Sequence, residues 1–366
     1  MRIAMLAHAN APWTPHFARF FKQRGDDFLL ITFAAPQLDG VEGVRIECVG
    51  REPYDPDARK HQFITEVPRV RRLLKDFRAE VVYAPYMRSN GLTAVLAARV
   101  PVVVSAVGTD VLNTSGRGGW GRRVIERILR FISDRSTIVH AVSPAIEAEL
   151  VRVGADRRKI LTFPYGVDLD QFPPGPDIPR PVARRLLCTR KHETIYDIGT
   201  ILDSLTRLKK NGRDFHCTLA GGGSLLDTHR RRAEEAGLTD YVTFTGNLPH
   251  ARLPGLLHES DVYISASLSD GTSVSLLEAI ATGVFPVVSR IPANEPWIED
   301  GRTGLLFEPG RADQLAAALE TALDRLDLRQ SAKTINRAKL EQEANLPRNM
   351  ERLATVMERL AHGQAD

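Results

Sequence analysis

Ser269-Asp270-Gly271-Thr272-Ser273-Val274-Ser275-Leu276-Leu277-Glu278-Ala279-Ile280-Ala281-Thr282-Gly283 is the run that decides the fold. Before it, Asp261-Val262-Tyr263-Ile264-Ser265 is β-branched and aromatic, the composition of a buried strand. After the turn, Val274, Leu277, Ile280 and Ala281 recur at helical spacing, and Gly283 stands where a helix stop is expected. The turn holds Gly271 with Thr272 and Ser273, so backbone can approach a ligand closely. N–H groups of the first helical turn, at Val274 and Ser275, then face outward as an anion site suited to phosphate.

Two acids bracket that turn. Asp270 precedes the helix, and Glu278 lies about one turn inside it. A carboxylate facing a ligand can accept two hydrogen bonds from vicinal hydroxyls, such as those of a ribose. Phosphate, diol and a further polyol together describe a nucleotide sugar. The residues alone also fit an Asp N-cap followed by a solvated Glu, and both readings stay open at this level.

On these residues the run resembles the acid–x7–acid signature of the family 4 glycosyltransferases, retaining enzymes of the GT-B fold. The resemblance implies an α/β chain with two Rossmann-like, doubly wound domains facing across a cleft. Many members carry Glu at the first acid. Asp270 is a departure, shorter by a methylene, and bears on which donor sugar is held.

Bulk properties agree with two soluble α/β domains. At 366 residues the chain is long enough for two cores. Cys48, Cys188 and Cys217 are far apart, which argues against a zinc site or disulfide framework and fits a reducing compartment. No apolar run reaches the length of a membrane span or resembles a signal peptide, so a cytoplasmic location is expected. Residues 1–175 carry 25 Lys and Arg against 19 Asp and Glu, while the remainder carries 24 against 26. A basic first half points to an acidic partner or an anionic membrane. No zinc-finger, RNP or KH pattern supports nucleic acid.

From the start, Arg2 to Ala7 reads as a strand, His8 to Pro15 as a loop, a helix begins near His16, and Phe28 to Phe33 is the next strand. This opens a doubly wound sheet, whose ligands bind beyond the carboxyl ends of the strands. His8, Asn10 and His16 are therefore acceptor-side candidates, each with a turn or cap role as the alternative. Val81–Ala84 and Val102–Ser105 read as central strands with a helix over Leu92–Ala98 between them. Gly108-Thr109-Asp110 is similar to a turn of the family, but Val107 stands where many relatives have His. Asp110 is then the remaining polar candidate there for a catalytic or acceptor-side role.

Trp120, Val124, Ile128 and Phe131 form one helical stripe beside Ile125, Leu129 and Ile132, with Arg122, Arg123, Arg127 and Arg130 largely elsewhere. A core helix with a solvated face is the favoured reading. A basic amphipathic helix over 117–135 in peripheral contact with the inner face of an anionic membrane is the other. Pro68 to Phe77, with Arg69, Arg71, Arg72 and Lys75, shares that ambiguity. Thr137–Val142 is a strand, and Ser143-Pro144 has the order of an N-cap followed by Pro at the first helical position. Gly166-Val167-Asp168 with Phe172 resembles the family's interdomain segment. Asp168 and Asp170 make an Asp-x-Asp pair, too short a pattern at a domain boundary to argue for a metal.

The second domain restarts with the strand Arg185–Thr189, and Arg190 and Lys191 follow at its carboxyl end, where a diphosphate needs cations. Relatives show Arg and, six residues on, Lys. Arg190 matches, while position 196 is Tyr, for which Lys191 or a neutral hydrogen bond from Tyr196 would compensate. Ile198–Lys210 reads as a helix, and Phe215–Leu219 as a strand ending in Gly221-Gly222-Gly223, which is not the dehydrogenase fingerprint. Gly246-Asn247-Leu248 follows the strand Tyr241–Thr245 and by resemblance reads the nucleotide base. Phe285–Ser289 and Gly304–Phe307 are further strands, the latter at an edge. Asn294-Glu295 is a candidate to face the cleft, Gln314–Leu326 is a helix, and Met350–Leu360 is periodic.

The domains are expected at 1–168 (acceptor), 183–345 (nucleotide sugar), with a Pro-rich linker at 169–182 and a tail at 346–366 that packs back on the first domain. The resemblance implies retaining transfer of a sugar from a nucleotide diphosphate donor to a glycan, lipid-linked or small-molecule hydroxyl, with no metal and no cofactor. Donor contacts fall to Arg190, Lys191, Tyr196, Gly246, Asn247, Leu248, Asp270, Gly271, Thr272, Ser273, Val274, Ser275 and Glu278, of which Asp270, Glu278 and Arg190 also carry catalysis. A non-catalytic sugar-nucleotide-binding subunit and an epimerase or phosphorylase on the same scaffold are the rival readings.

Overall fold

The computed structural model describes residues 1–11, 13–35, 43–50, 62–112, 119–175 and 184–364. The second half of the expected linker (176–182), residue 183 of the expected second domain and the first two residues of the 117–135 stretch lie outside them. The chain divides into two compact units, Met1–Tyr165 with Pro347–Asp366, and Gly166–Leu346.

The first unit holds a seven-stranded, all-parallel sheet: β1 (Arg2–Leu6), β2 (Asp27–Thr32), β3 (Arg45–Cys48), β4 (Val81–Pro85), β5 (Val102–Ala106), β6 (Ile138–Ala141) and β7 (Ile160–Thr162), in the order β3-β2-β1-β4-β5-β6-β7. Strands β4 and β5 are buried at every residue, which is why they read as unbroken apolar runs. Helix Pro144–Arg152 starts as its sequence requires. Ser143 Oγ accepts from the Ile146 N–H, and Pro144 occupies the first turn. The last helix, Leu346–Ala361, returns to this unit. It buries Met350, Leu353, Ala354 and Met357, pairs Glu358 with Arg24 at 2.6 Å, and lays the Arg352 guanidinium over the Phe163 ring.

In the basic helix Gly119–Arg135 the buried face is Ile125, Leu129 and Ile132. The neighbouring stripe is not core: Val124, Ile128 and Phe131 are only half-buried and Trp120 is 81 % exposed. Two apolar stripes were available, and the segments Met87–Gly91 and Leu92–Ala97 that pack on this helix leave one of them only half-buried.

The second unit carries a six-stranded parallel sheet of β8 (Arg185–Cys188), β9 (His216–Ala220), β10 (Val242–Gly246), β11 (Val262–Ser265), β12 (Phe285–Ser289) and β13 (Leu305–Phe307), ordered β10-β9-β8-β11-β12-β13. Both sheets thus share the order of a Rossmann half-and-half sheet, and the protein is α/β with two Rossmann-like domains. Order reverses between β8 and β11, with Val262 paired to Leu186 on one side and to Phe285 on the other. That reversal is the switch point at which ligands of such sheets bind.

Helix Val274–Thr282 packs beside it. Leu276, Leu277, Ala279, Ile280 and Ala281 are fully buried, and each large side chain contributes about 1.5–3 kcal/mol. Gly283 ends the helix at φ +88°, a left-handed cap, and the Val284 N–H closes back on the Ala279 carbonyl at 3.0 Å. Two further helices, Ala312–Asp324 and Leu326–Glu343, stand where a single helix over Gln314–Leu326 is expected.

Candidate active site

The loops at the carboxyl ends of β8 and β11 meet around one guanidinium, and the loop after β9 passes against its backbone. Arg190, two residues past β8, is only 9 % exposed. Its Nη2 donates to Asp270 Oδ2 at 2.6 Å and its Nη1 to Ser275 Oγ at 2.8 Å. The guanidinium lies 4.1 Å over the Tyr196 ring. The Tyr196 ring therefore serves Arg190 as a cation–π platform. Burial opposes the charge most strongly, yet Asp270, with Tyr263 and Tyr196 behind it, outweighs burial and raises the guanidinium above its ordinary value. Arg190 Nε is buried and has no partner among the described residues.

Ser275 shows how this corner is prepared. Its Oγ accepts from both Arg190 and the Tyr263 hydroxyl, the latter at 2.8 Å. With two acceptances made, its own O–H is left to donate. Ser273, at the helix start, caps nothing with its side chain, and its buried Oγ has no partner among the described residues. First-turn N–H groups of a helix have no acceptor within it. Arg190 Nε, the Ser273 and Ser275 hydroxyls, and the Val274 and Ser275 N–H groups make one cluster of donors around a helix N-terminus, a setting for an anion. Lys191 beside them is exposed to solvent.

Asp270 is half-buried and also accepts from the Gly271 N–H at 2.9 Å. It is not a cap for the helix: the N-cap is Ser273. Thr272 is half-buried in the turn and Gly271 is buried. Glu278 points from the second turn of the helix and is 6 % exposed. It is not solvated, and its Oε1 accepts from His250 Nε2 at 2.8 Å. That bond, ahead of the opposing effect of burial, raises the imidazole above its usual value. Gln171 Nε2 lies 3.1 Å from the other ring nitrogen, and Phe172 meets the ring edge-on. His250 is the site residue that sequence reading missed. It sits in a short polar turn, and only the 2.8 Å contact across 28 residues reveals it.

The triple glycine explains itself by contacts. A Cβ on Gly221 would strike the Arg190 carbonyl, and one on Gly222 would lie 2.7 Å from Asn247 Oδ1. Instead the Gly222 N–H donates to that oxygen at 2.8 Å, tying the β9 loop to Gly246-Asn247 after β10. Gly246 adopts φ +67° beside an irregularity in the β9–β10 register, and Leu248 packs on the core of the second unit. His192 and His229 share a 2.9 Å ring contact beneath this loop, and burial drives His192 down to about 4.

Other candidates are turned to local work. Asp110 is 6 % exposed and accepts three backbone N–H groups, from Met87 (2.8 Å), Gly108 (2.8 Å) and Val107 (3.2 Å). Burial raises its carboxyl, with those three donors opposing. Its oxygens are already engaged in shaping the turn after β5, a positioning role. His8 Nδ1 accepts from the Asn10 N–H at 3.1 Å, burial lowers the ring, and Asn10 Nδ2 donates to the Ala35 carbonyl. His16 is half-buried on the helix Thr14–Gln23. Asp168 Oδ1 accepts from the N–H groups of Asp170 and Gln171, a local turn. Asn294 is fully buried and donates to the Ser289 carbonyl, so only Glu295 of that pair is exposed.

Comparison with known proteins agrees with this geometry. The family model "Glycosyl transferases group 1" matches residues 192–339, and "Glycosyl transferase 4-like domain" matches residues 11–166. The chain belongs to the family 4 glycosyltransferases, of GT-B type. It is 27 % identical over 277 residues, 70 % of each chain, to a GDP-mannose-dependent α-(1-6)-phosphatidylinositol monomannoside mannosyltransferase of Mycobacterium tuberculosis. Among solved structures, sucrose-phosphate synthase from Thermosynechococcus elongatus superimposes with a TM-score of 0.85 at 17 % identity, covering 99 % of this chain and 100 % of that one. Anabaena HepE, solved with UDP-glucose, gives 0.79 at 16 % identity over 98 % and 99 %. The protein is a glycosyltransferase enzyme. Among the described residues, no helix is long and apolar enough to cross a membrane.

Proposed function

We propose that the enzyme transfers a sugar, with retention of anomeric configuration and without a metal, from a nucleotide diphosphate sugar to a hydroxyl of a glycan, lipid-linked or small-molecule acceptor. One observation carries this reading. A buried arginine with a spare Nε lies at a helix start where the buried Ser273 hydroxyl has no partner among the described residues and first-turn N–H groups have no acceptor within the helix, bracketed by Asp270 and Glu278.

In this reading Glu278 uses its second oxygen for the ribose, Asp270 takes a hydroxyl of the donor sugar, and Asn247 and Leu248 lie against the base. As the bond from the anomeric carbon to the phosphate oxygen breaks, negative charge grows on the diphosphate. Arg190, Lys191 and the N–H groups of Val274 and Ser275 stabilise that charge. They supply the cationic support that a metal supplies elsewhere. The acceptor oxygen bonds to the anomeric carbon on the face the diphosphate leaves, and its proton passes to a phosphate oxygen. UDP-glucose in HepE and GDP-mannose in the mycobacterial relative support a nucleotide-sugar donor and leave both bases open. The exposed Trp120 with Arg122, Arg123, Arg127 and Arg130 on the helix Gly119–Arg135 supports a peripheral contact with an anionic membrane surface from the inner side.

Incubation with UDP-, GDP- and ADP-sugars, with and without EDTA and acceptor, tests the whole. Acceptor-dependent nucleotide release unaffected by EDTA is expected, with NMR of the product anomeric proton matching the donor configuration. Glu278→Ala should abolish detectable transfer and weaken donor binding. Normal transfer by that variant refutes the assignment of the ribose seat.

A further inference from the structure

Away from the switch point, the first unit contains a cavity of about 540 Å³ between the helix Val67–Phe77 and the end of the helix Leu92–Ala97. Arg71, Arg72, Lys75, Arg78 and Arg99 line it, and no carboxylate among the described residues does. Glu80, close by in sequence, is committed to Arg2 at 2.6 Å. The floor is apolar, formed by Leu74, Ala79 and Ala97, all buried.

The five cations are exposed, so solvent screens their mutual repulsion, yet their convergence on one hollow without a carboxylate among the described residues of its lining makes the hollow favourable to an anion. The helix dipole accounts for cations at its carboxyl end, here Lys75 and Arg78. It does not account for Arg71 and Arg72 one turn earlier, or for Arg99 from a different segment. Arg71 is already anchored, its Nη2 donating to the Leu96 carbonyl at 2.8 Å, which fixes a guanidinium at the rim. Arg72, Lys75 and Arg99 form no ion pair among the described residues. Arg78 occupies a left-handed C-cap at φ +55°, where glycine is the low-strain choice, so a cationic side chain stands at a position that disfavours any side chain.

We infer that this cavity binds a phosphate ester that also carries an apolar part. Guanidinium groups match phosphate oxygens bidentately, Lys75 adds a point charge, and the Leu74–Ala79–Ala97 floor takes the apolar portion. A cavity of this size suits a small ligand. The same chemistry is offered by a soluble phosphorylated metabolite and by a lipid headgroup. The site is independent of the donor assignment.

The full chain is titrated calorimetrically with glycerol 3-phosphate, and separately co-floated with phosphatidylcholine vesicles with and without phosphatidylglycerol. Binding in the first arm assigns a soluble ester, and binding only to the anionic vesicles assigns a headgroup; either supports the site. Arg72→Gln with Arg99→Gln should weaken whichever binding is seen by roughly 30-fold. The single change Lys75→Gln should weaken it by about fivefold, should the double variant fail to fold. Arg230→Gln with Arg231→Gln, an equal charge loss in the second unit, should leave it unchanged. No binding in either arm, or equal weakening by the two double variants, overturns the inference.

Discussion

Replacing Arg190 by alanine or by lysine separates the catalytic part of this site from its structural part. In the resting protein Arg190 makes two charge-assisted or hydroxyl hydrogen bonds and one ring contact. Asp270 keeps 20 % of its side chain in solvent, so orphaning it costs less than stranding a wholly buried charge. The low end of the buried-pair range, about 3 kcal/mol, is appropriate. In a domain of this size that lowers Tm by roughly 6–12 °C. Catalysis loses more. Each charge-assisted bond from the guanidinium to the departing diphosphate is worth about 1.5–3 kcal/mol. One such bond, through Nε, corresponds to a roughly 10- to 150-fold fall in kcat, and two bonds to roughly 150- to 2 × 10⁴-fold. Arg190→Lys keeps the charge but cannot reach Ser275 and Asp270 while also facing a phosphate. It should recover much of Tm and little of kcat. Steady-state nucleotide release and thermal melting measured on the same preparations check this. If Arg190→Ala keeps kcat within threefold of the parent while Tm falls as calculated, the guanidinium is a structural pin and the phosphate argument is wrong.

The Glu278–His250 bond gives a pH signature. Folding raises the imidazole, so its stabilising effect is complete below the unfolded value near 6.5 and fades as pH rises through the folded one. The Tm difference between parent and His250→Ala should therefore be largest in mild acid and shrink toward alkaline pH. Asp110→Ala strands three backbone N–H groups and should cost about 3 kcal/mol by chemical denaturation. Gly221→Ala pushes on the Arg190 carbonyl, so kcat should fall well beyond what its Tm loss explains. Gly222→Ala meets only the end of the Asn247 side chain and should chiefly raise the donor KM.

Sequence reached what apolar periodicity encodes. Helix Val274–Thr282 with its Gly283 stop is buried from Leu276 onward, the central strands β4, β5 and β12 are buried at every residue, and all carry strong patterns. Strand β3 was invisible because Arg45-Ile46-Glu47-Cys48 has no buried residue and exists only through its register with β2. The helix Leu326–Glu343 was hidden because its inward stripe includes Arg329 and Asn336. These satisfy backbone carbonyls of Ala322, Leu323 and Thr303 rather than filling an apolar core. At the site, the two acids and Arg190 were legible as residue types beside strand ends. Their mutual bonding was not, since Arg190 and Asp270 are 80 positions apart and His250 follows no local rule. Asp110 was legible as a polar residue in a turn similar to the family's, while the three backbone N–H groups it accepts in shaping that turn were not.

The return of Pro347–Asp366 to the unit begun by Met1–Tyr165 has a consequence for biogenesis. On the ribosome, the core begun by Met1–Tyr165 cannot be finished until Pro347–Asp366 has been translated and has emerged, whereas Gly166–Leu346 is contiguous. The first unit thus depends on a segment synthesised after the whole of the second. Until that segment emerges, the seats that Met350, Leu353 and Met357 fill in the first unit stand open to chaperones.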